Sequence, residues 1–194
     1  MCASSICVVA YGRASRPDVV LAEVVRRLAG AGYRVGGLLQ FRRGGTPSRC
    51  ASLFLEEIGS GRRVEIFESR GGAARGCRLT TCGLAEGAAW LAAAVAAEPE
   101  LLFVNRFGRQ EAEGRGLRAE TAAAIVAGIP SVVPVSEALL PAWRAFAGEE
   151  DAVMPPDADR IEAWCRGRLL TRPSPSGRAG ALDGMGGDAP ARHA

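Results

Sequence analysis

The sequence contains no lysine, because all 24 of its basic residues are arginine. No side chain of this sequence can therefore form a Schiff base or act as the lysine of a phosphate-binding loop. The single histidine, His193, is next to the last residue. An internal histidine base, a histidine metal cluster and a Ser-His-Asp triad are also excluded. The remaining polar chemistry comes mainly from arginines, carboxylates and thiols.

Long apolar runs are also absent, since none approaches the roughly 18 residues that a membrane helix requires. No basic segment followed by an apolar stretch resembles a secretion signal, so we expect a cytoplasmic protein with no membrane partner. Aromatic residues make up only 6% of the chain, and the arginines are dispersed among 21 acidic residues. A basic stripe with interleaved aromatics, which is typical of nucleic-acid binding, is therefore missing.

The cysteines form no C-x-x-C pair, and without a secretion signal we expect thiols rather than disulfides. Cys50 and Cys77 flank charged, glycine-rich loops, where a metal, oxyanion or redox role is the alternative interpretation. We assign no metal ligands. The six positions are Cys2, Cys7, Cys50, Cys77, Cys82 and Cys165.

Apolar runs alternate with amphipathic segments through most of the chain, 48% of which is hydrophobic. This pattern predicts a single domain over residues 1–170, followed by a disordered tail over residues 171–194 that is rich in proline, glycine, serine and arginine. Residues 6–11 read as a buried first strand that ends at Gly12. A helix should follow, with Ser15 as its N-cap and Asp18 completing a capping box.

The remaining elements continue the alternation of strand and helix. Residues 50–58 and 63–68 flank a Gly-Ser-Gly turn and predict a β-hairpin, whereas residues 69–82 predict a long loop. Helices are predicted over residues 84–97, 117–127 and 139–147, with strands at 35–41, 101–104 and 131–135, and a basic loop over residues 42–49 follows the first of these strands. The order favours a three-layer α/β fold with a mainly parallel sheet and an inserted hairpin.

The stretch over residues 101–117 is the strongest candidate for a functional site. Four apolar residues form a buried strand, and a loop dense in charge and glycine follows it at the sheet edge where α/β proteins bind ligands. Its arginines suit an anion, and its acids could position those arginines or act in acid-base catalysis. The alternative is a salt-bridged turn that caps the next helix. The candidates are Asn105, Arg106, Arg109, Glu111, Glu113 and Arg115.

Cys77 and Arg78, together with Arg75, suggest a second basic wall over the same site. A surface loop without a binding role is the alternative for these residues.

The motif NRFGRQEAEGRGL, followed by AIVAGIP and PAWRAF, resembles the bacterial family catalogued as domain of unknown function 2478. The resemblance covers about residues 6–170. That family in turn resembles the small P-loop nucleoside-triphosphatases (NTPases). The resemblance implies that Asn105 and Glu111 stand near the metal- and water-handling acids, with Glu111 as the catalytic candidate. It also implies that residues 12–18 replace the phosphate loop.

Residues 12–18 depart from the phosphate-loop pattern, which requires a second glycine and a lysine. Pro17 removes one backbone donor from the helix start, and Asp18 places a carboxylate where phosphate would bind. Arg13 or Arg16, beside Gly12, could replace part of the missing cation, although as a planar fork. At the end of the later strand, Asn105 stands in place of an acid.

We therefore expect a P-loop-NTPase-like protein that has lost NTP hydrolysis and binds a small anion, either a nucleotide or an oxyanion. The family resemblance also implies an accessory role in handling molybdate or a related metal oxyanion. One alternative is a divergent phosphohydrolase or phosphotransferase that uses Glu111, arginines and magnesium. Another is a protein-interaction module. The sequence assigns no cofactor and no oligomeric state.

Overall fold

A computed structural model of the chain describes residues 5–43, 52–69, 77–79, 81–148, 150 and 152–171. The side chains of residues 67–69, 77–79 and 81 lie outside this description. Within it, the strands are β1 (Ile6–Tyr11), β2 (Val35–Arg43), β3 (Ser52–Glu57), β4 (Arg63–Ser69), β5 (Cys77–Leu79), β6 (Leu101–Phe103), β7 (Ser131–Ser136) and β8 (Ala152–Met154). The helices are α1 (Pro17–Gly30), α2 (Thr81–Ala96), α3 (Arg109–Ala112), α4 (Arg118–Val126), α5 (Leu140–Ala147) and α6 (Ala158–Thr171).

All the described strands join one sheet in the order β5-β4-β3-β2-β6-β7-β1-β8. The five strands from β2 to β8 in this order pair in parallel, and β3, β4 and β5 extend the sheet beyond β2 in antiparallel fashion. The pairing of β3 with β4 confirms the predicted hairpin. The mainly parallel α/β architecture is also confirmed.

Helices cover both faces of the sheet, because its central strands are apolar on both sides. In β1, alternate residues belong to two separate cores: Ile6 and Val8 pack against one, Cys7 and Val9 against the other. The first core contains side chains of α2, α4 and α5, including the fully buried Trp143. The second contains side chains of α1 and α6. The result is the predicted three-layer arrangement.

Several local predictions are corrected by the structure. Residues 69–82 are not a continuous loop, since β4 extends to Ser69, β5 occupies residues 77–79 and α2 begins at Thr81. The loop after β6 contains the short helix α3, and β8 is a further strand that the sequence pattern did not predict. Both unpredicted strands have three residues, too short for an alternating pattern to be recognised.

The predicted N-cap of α1 is also wrong. The helix begins at Pro17 with Arg16 as N-cap, and no side chain caps it. The backbone N–H of Ser15 instead donates to the carbonyl of Gly12 over 3.2 Å, which closes a tight turn. Proline fixes the φ angle that a first helical residue needs, so it sets the helix start in place of the serine.

The predicted tail falls outside the described residues, except that Thr171 is the last residue of α6. Within the described part of the chain, no helix has the length and apolar character needed to cross a membrane.

Candidate functional site

A pocket of about 400 Å³ opens at the carboxyl ends of β1, β2 and β6. Its position follows from the topology. β1 leads into α1 on one face of the sheet, whereas its neighbour β7 leads into α5 on the other face. Such a change of side leaves a crevice at the carboxyl edge, where α/β proteins bind ligands. The lining residues are Tyr11, Gly12, Arg13, Ala14, Ser15, Arg16, Pro17, Asp18, Val19, Phe41, Arg42 and Arg106.

Four arginines line this pocket, against a single carboxylate among the described lining residues. Arg13, Arg16 and Arg42 are exposed, and within the described part of the chain none of them forms an ion pair. Arg106 is half-buried and pairs with Asp18. The pocket therefore carries a net positive charge, and its concave walls concentrate the resulting field.

The loop from Gly12 to Asp18 forms one wall and leads directly into α1. Pro17 has no backbone N–H, and no side chain satisfies the first turn of the helix. Asp18 and Val19 line the pocket and lie in the first turn of the helix. Backbone N–H groups in that turn have no hydrogen-bond partner within the helix. This wall therefore combines exposed arginines with the positive end of a helix dipole.

Arg106 connects the β6 loop to this wall. One terminal nitrogen, Nη2, donates to Asp18 Oδ1, and the guanidinium lies over the Tyr11 ring with its carbon 5.3 Å from the ring centroid. Its Nε is buried and has no acceptor. Asn105, the preceding residue, is 7% exposed, and its Oδ1 also has no partner. Two polar atoms at the end of β6 are thus left unsatisfied.

Glu111 lies in the protein interior, with 6% of its surface exposed. Its Oε2 accepts a hydrogen bond from the Gly108 N–H over 2.9 Å, and its Oε1 accepts one from the Leu117 N–H over 3.0 Å. The backbone carbonyl of Glu111 accepts from Arg118. The side chain therefore joins the two ends of the loop after β6. It does not line the pocket, so the geometry gives it a positioning role, and its predicted catalytic role stays a prediction.

The rest of the predicted β6 loop site lies outside the pocket. Arg109 is exposed, and Arg115 forms an exposed ion pair with Glu113. None of these three side chains lines the pocket, and exposed pairs of this kind contribute little to stability. They match the alternative reading of the loop as a salt-bridged turn before a helix.

The predicted second wall is not brought to the pocket. Cys77 and Arg78 are in β5, at the far edge of the sheet and three strands from β2. At the usual strand spacing this separation is about 14 Å. Their side chains, and all of Arg75 and Cys50, lie outside the described residues.

The described cysteines are ordinary thiols. Cys7 and Cys165 are buried and Cys82 is exposed, and none of the three forms a disulfide. Burial raises the pKa of the Cys165 thiol, which keeps it protonated and unreactive. No group of three or more histidine, cysteine, aspartate or glutamate side chains in the described part of the chain could hold a metal ion.

The structure therefore brings together Gly12, Arg13, Arg16 and Arg106 from the predicted set. It adds Arg42 with Phe41 from the end of β2, which sequence reasoning left out of the site. Their position at the carboxyl end of an apolar strand could have indicated that they belong to a ligand site. Glu137, after β7, does not line the pocket but lies beside its Gly12 wall, since a Cβ built on Gly12 would be 3.5 Å from the Glu137 Oε2.

Comparison with known proteins connects this fold to a family. The chain is similar to a protein of Bradyrhizobium diazoefficiens named molybdenum import ATP-binding protein ModC 2, with 37% identity over 150 residues. The match covers 77% of this chain but 17% of that protein, whose name therefore describes a much longer molecule. No solved structure matches the chain. The similarity agrees with the P-loop-NTPase-like α/β fold described above. Because a family model matches residues 6–164, the chain belongs to the family described as protein of unknown function (DUF2478).

Proposed function

We propose that this protein binds a small anionic ligand, a phosphate compound or a related oxyanion, in the pocket at the carboxyl ends of β1, β2 and β6. The observation that supports the proposal is the lining of that pocket, with four guanidinium groups against one carboxylate. Guanidinium forks match the planar edges of phosphate and carboxylate and the faces of tetrahedral oxyanions. Three of these arginines are exposed and without an ion pair in the described structure, which leaves them available to a ligand.

We further propose that binding is not followed by NTP hydrolysis. The pocket has no lysine to neutralise a transferred phosphoryl group, and Pro17 removes a donor from the helix that faces it. Asn105 stands at the strand end where an acid would hold magnesium, and both carboxylate oxygens of Glu111 are engaged by backbone N–H groups. The side chains that phosphoryl transfer requires are therefore missing or occupied.

The size of the pocket favours an organic anion. Its volume of about 400 Å³ falls in the range of sites for small organic ligands, and a single tetrahedral oxyanion would leave most of it to water. The name of the similar protein, which refers to molybdenum import and ATP binding, makes molybdate handling the biological setting to test. Both ligand types belong in one binding screen.

The screen compares inorganic phosphate, pyrophosphate, ATP, GTP, molybdate and tungstate by thermal shift and calorimetry. A ligand at 100 times its dissociation constant stabilises the folded state by about 2.7 kcal/mol. For a domain of this size that corresponds to a shift in Tm of roughly 5–10 °C. If none of the six anions binds, the proposed function is wrong and the protein-interaction alternative is favoured.

Removing two pocket arginines should strongly weaken this binding. The double variant Arg13→Ala, Arg16→Ala should raise the dissociation constant of the anion by at least about 100-fold, because each hydrogen bond to a charged group contributes roughly 1.5–3 kcal/mol. The matched control is Arg109→Ala, Arg115→Ala, which removes the same charge from a loop outside the pocket. Equal losses in both variants would show that binding reflects net charge and not the pocket.

The proposal also predicts no catalysis. Wild-type protein incubated with magnesium and either ATP or GTP should release no more phosphate than a buffer blank. Glu111→Gln is the discriminating variant, since it keeps the size of the side chain and removes its charge. Turnover by the wild type that is lost in a Glu111→Gln variant still folded at the assay temperature would establish the phosphohydrolase alternative instead.

A further inference from the structure

We propose that Asp18 is a built-in competitor for the pocket: its carboxylate occupies Arg106 while the pocket is empty, and a bound anion must displace it. This inference rests on the proposed anion-binding function. It assigns a role to Asp18, the single carboxylate among the described residues that line the pocket. The competitor lowers the affinity of the pocket for every anion. It also makes the position of the loop after β6 depend on whether ligand is bound.

The ion pair joins two separate parts of the pocket wall. Asp18 lies in the first turn of α1, and Arg106 follows β6, 88 residues later in the chain. Both side chains are mostly shielded, with 23% and 22% of their surfaces exposed. Shielding strengthens the attraction between the two charges and limits screening by salt. Asp18 therefore holds Arg106 firmly when no ligand is present.

Asp18 uses only part of the arginine. The Nε and Nη2 atoms form the guanidinium edge that usually binds two oxygens of one anion. Asp18 accepts from Nη2 alone, and Nε–H is buried without an acceptor. A buried donor without an acceptor is unfavourable, and such groups frequently indicate a place where an ion or water binds. A phosphate or related oxyanion in place of Asp18 could satisfy both atoms.

The same carboxylate occupies the helix end that would otherwise attract the ligand. An aspartate in the first turn interacts favourably with the helix dipole and opposes a second anion there. Neutralising Asp18 should therefore act twice, by releasing Arg106 and by removing a negative charge from the pocket. We expect Asp18→Asn to bind inorganic phosphate and pyrophosphate about tenfold more tightly than the wild type does.

The control is Asp159→Asn. Asp159 also lies in the first turn of a helix, α6, and also pairs with an arginine, Arg27, but neither residue lines the pocket. Calorimetry on wild type, Asp18→Asn and Asp159→Asn should show tighter binding in the first variant alone. Unchanged or weaker binding by a folded Asp18→Asn variant would overturn the competitor role and leave the proposed function intact. Absence of phosphate and pyrophosphate binding by all three proteins would overturn the competitor role, and the proposed function would fall with it if ATP, GTP, molybdate and tungstate also failed to bind the wild type.

A second measurement follows binding by the wild-type chain, so its result does not depend on how well Asp18→Asn folds. The Nε–H resonance of Arg106 can be followed by ¹⁵N NMR and assigned through its loss in Arg106→Gln. Phosphate should shift this resonance and slow its exchange with water, because the donor gains an acceptor. A bound state in which the resonance is unchanged would show that the ion pair with Asp18 persists, which contradicts the proposal.

Discussion

Glu111→Ala is expected to lower the free energy of unfolding by about 3 kcal/mol, a large effect for one side chain. The variant removes both acceptors of the Gly108 and Leu117 N–H groups. The Leu117 N–H is buried, and a buried donor left unpaired costs about 1–3 kcal/mol. Removal of a buried carboxylate returns some of the desolvation energy, which keeps the net loss from being larger.

The contacts around Glu111 show that its carboxylate holds the segment between β6 and α4 in place. Gly116 has a φ of +63°, and a Cβ at that position would lie 2.1 Å from Glu111 Oε1. Arg118 donates to the Glu111 carbonyl and stacks on Phe146, with its guanidinium carbon 4.1 Å from the ring centroid. Loss of the carboxylate therefore loosens the whole segment between β6 and α4.

Urea unfolding of wild type, Glu111→Ala and Glu113→Ala measures the effect. Glu113 is the matched control, because it lies two residues away in the same segment but pairs with Arg115 at the surface. Its removal should change stability by less than about 0.5 kcal/mol. Glu111→Gln should fall between the two, since an amide keeps one acceptor and places a donor against the second N–H. Equal stability of Glu111→Ala and Glu113→Ala would contradict the positioning role.

The buried position of Glu111 shows what limits prediction of the site from sequence. The sequence places a glutamate among arginines and glycines, and exposure cannot be read from a polar loop. The same residue types describe an open catalytic acid and a buried carboxylate that accepts backbone N–H groups. The spacing of Gly108, Glu111 and Gly116 was compatible with both. The tertiary structure distinguishes the two, because α4 and α5 pack against α3 and the Glu111 side chain is buried there.

Arg42 illustrates a second limit on predicting the site from sequence, which is that the order of strands in the sheet is not known. The sequence predicts β2 and the basic residues that follow it, but the neighbours of β2 depend on the order of strands in the sheet. That order places β2 beside β6, although the hairpin strands and α2 separate them in the chain. Arg13 and Arg16 were predicted through the resemblance to P-loop NTPases, which places residues 12–18 where a phosphate loop lies. That resemblance therefore predicted one wall of the pocket and left the wall with Arg42 unassigned.

The start of α1 shows a third limit, which concerns the prediction of helix caps from sequence. Ser15 and Asp18 have the spacing of a capping box, but Asp18 pairs with Arg106 and Ser15 belongs to a turn. The periodicity of Leu21, Val24 and Leu28 predicted the helix itself, because burial of one face fixes its position. A cap contributes only about 1 kcal/mol, and here Pro17 sets the helix start while the Asp18 carboxylate pairs with Arg106, 88 residues later in the chain.

Gly37→Ala is expected to have the largest effect, a loss of about 4 kcal/mol or more in the free energy of unfolding. Gly37 has a φ of +109°, which a residue with a Cβ rarely adopts. A Cβ there would lie 2.1 Å from the carbonyl oxygen of Phe103 in β6. The neighbouring atoms are backbone, so no side-chain rotation can relieve the contact.

The position of Gly37 in the sheet explains why this geometry is needed. Residues 35–37 of β2 pair in parallel with β6, whereas residues 38–43 pair in antiparallel fashion with β3. Gly37 is the last residue of the parallel segment, and its carbonyl accepts from the Ile58 N–H over 3.0 Å. Gly37 therefore lies where pairing with β6 on one side of β2 ends and pairing with β3 on the other side begins. Alanine would push β2 away from β6, and Phe41, Arg42 and Arg106 would no longer share one pocket.

Gly167→Ala supplies a control with the opposite expected sign. Gly167 is an exposed residue inside α6, and a Cβ there would meet nothing within 4 Å. Alanine should stabilise the helix by about 0.5–1 kcal/mol, because it has less backbone freedom to lose on folding. Urea unfolding of both variants therefore compares the same chemical change in two environments. A Gly37→Ala protein as stable as the wild type would show that β2 and β6 are not joined at this residue, and the wall that contains Arg42 would have to be placed elsewhere.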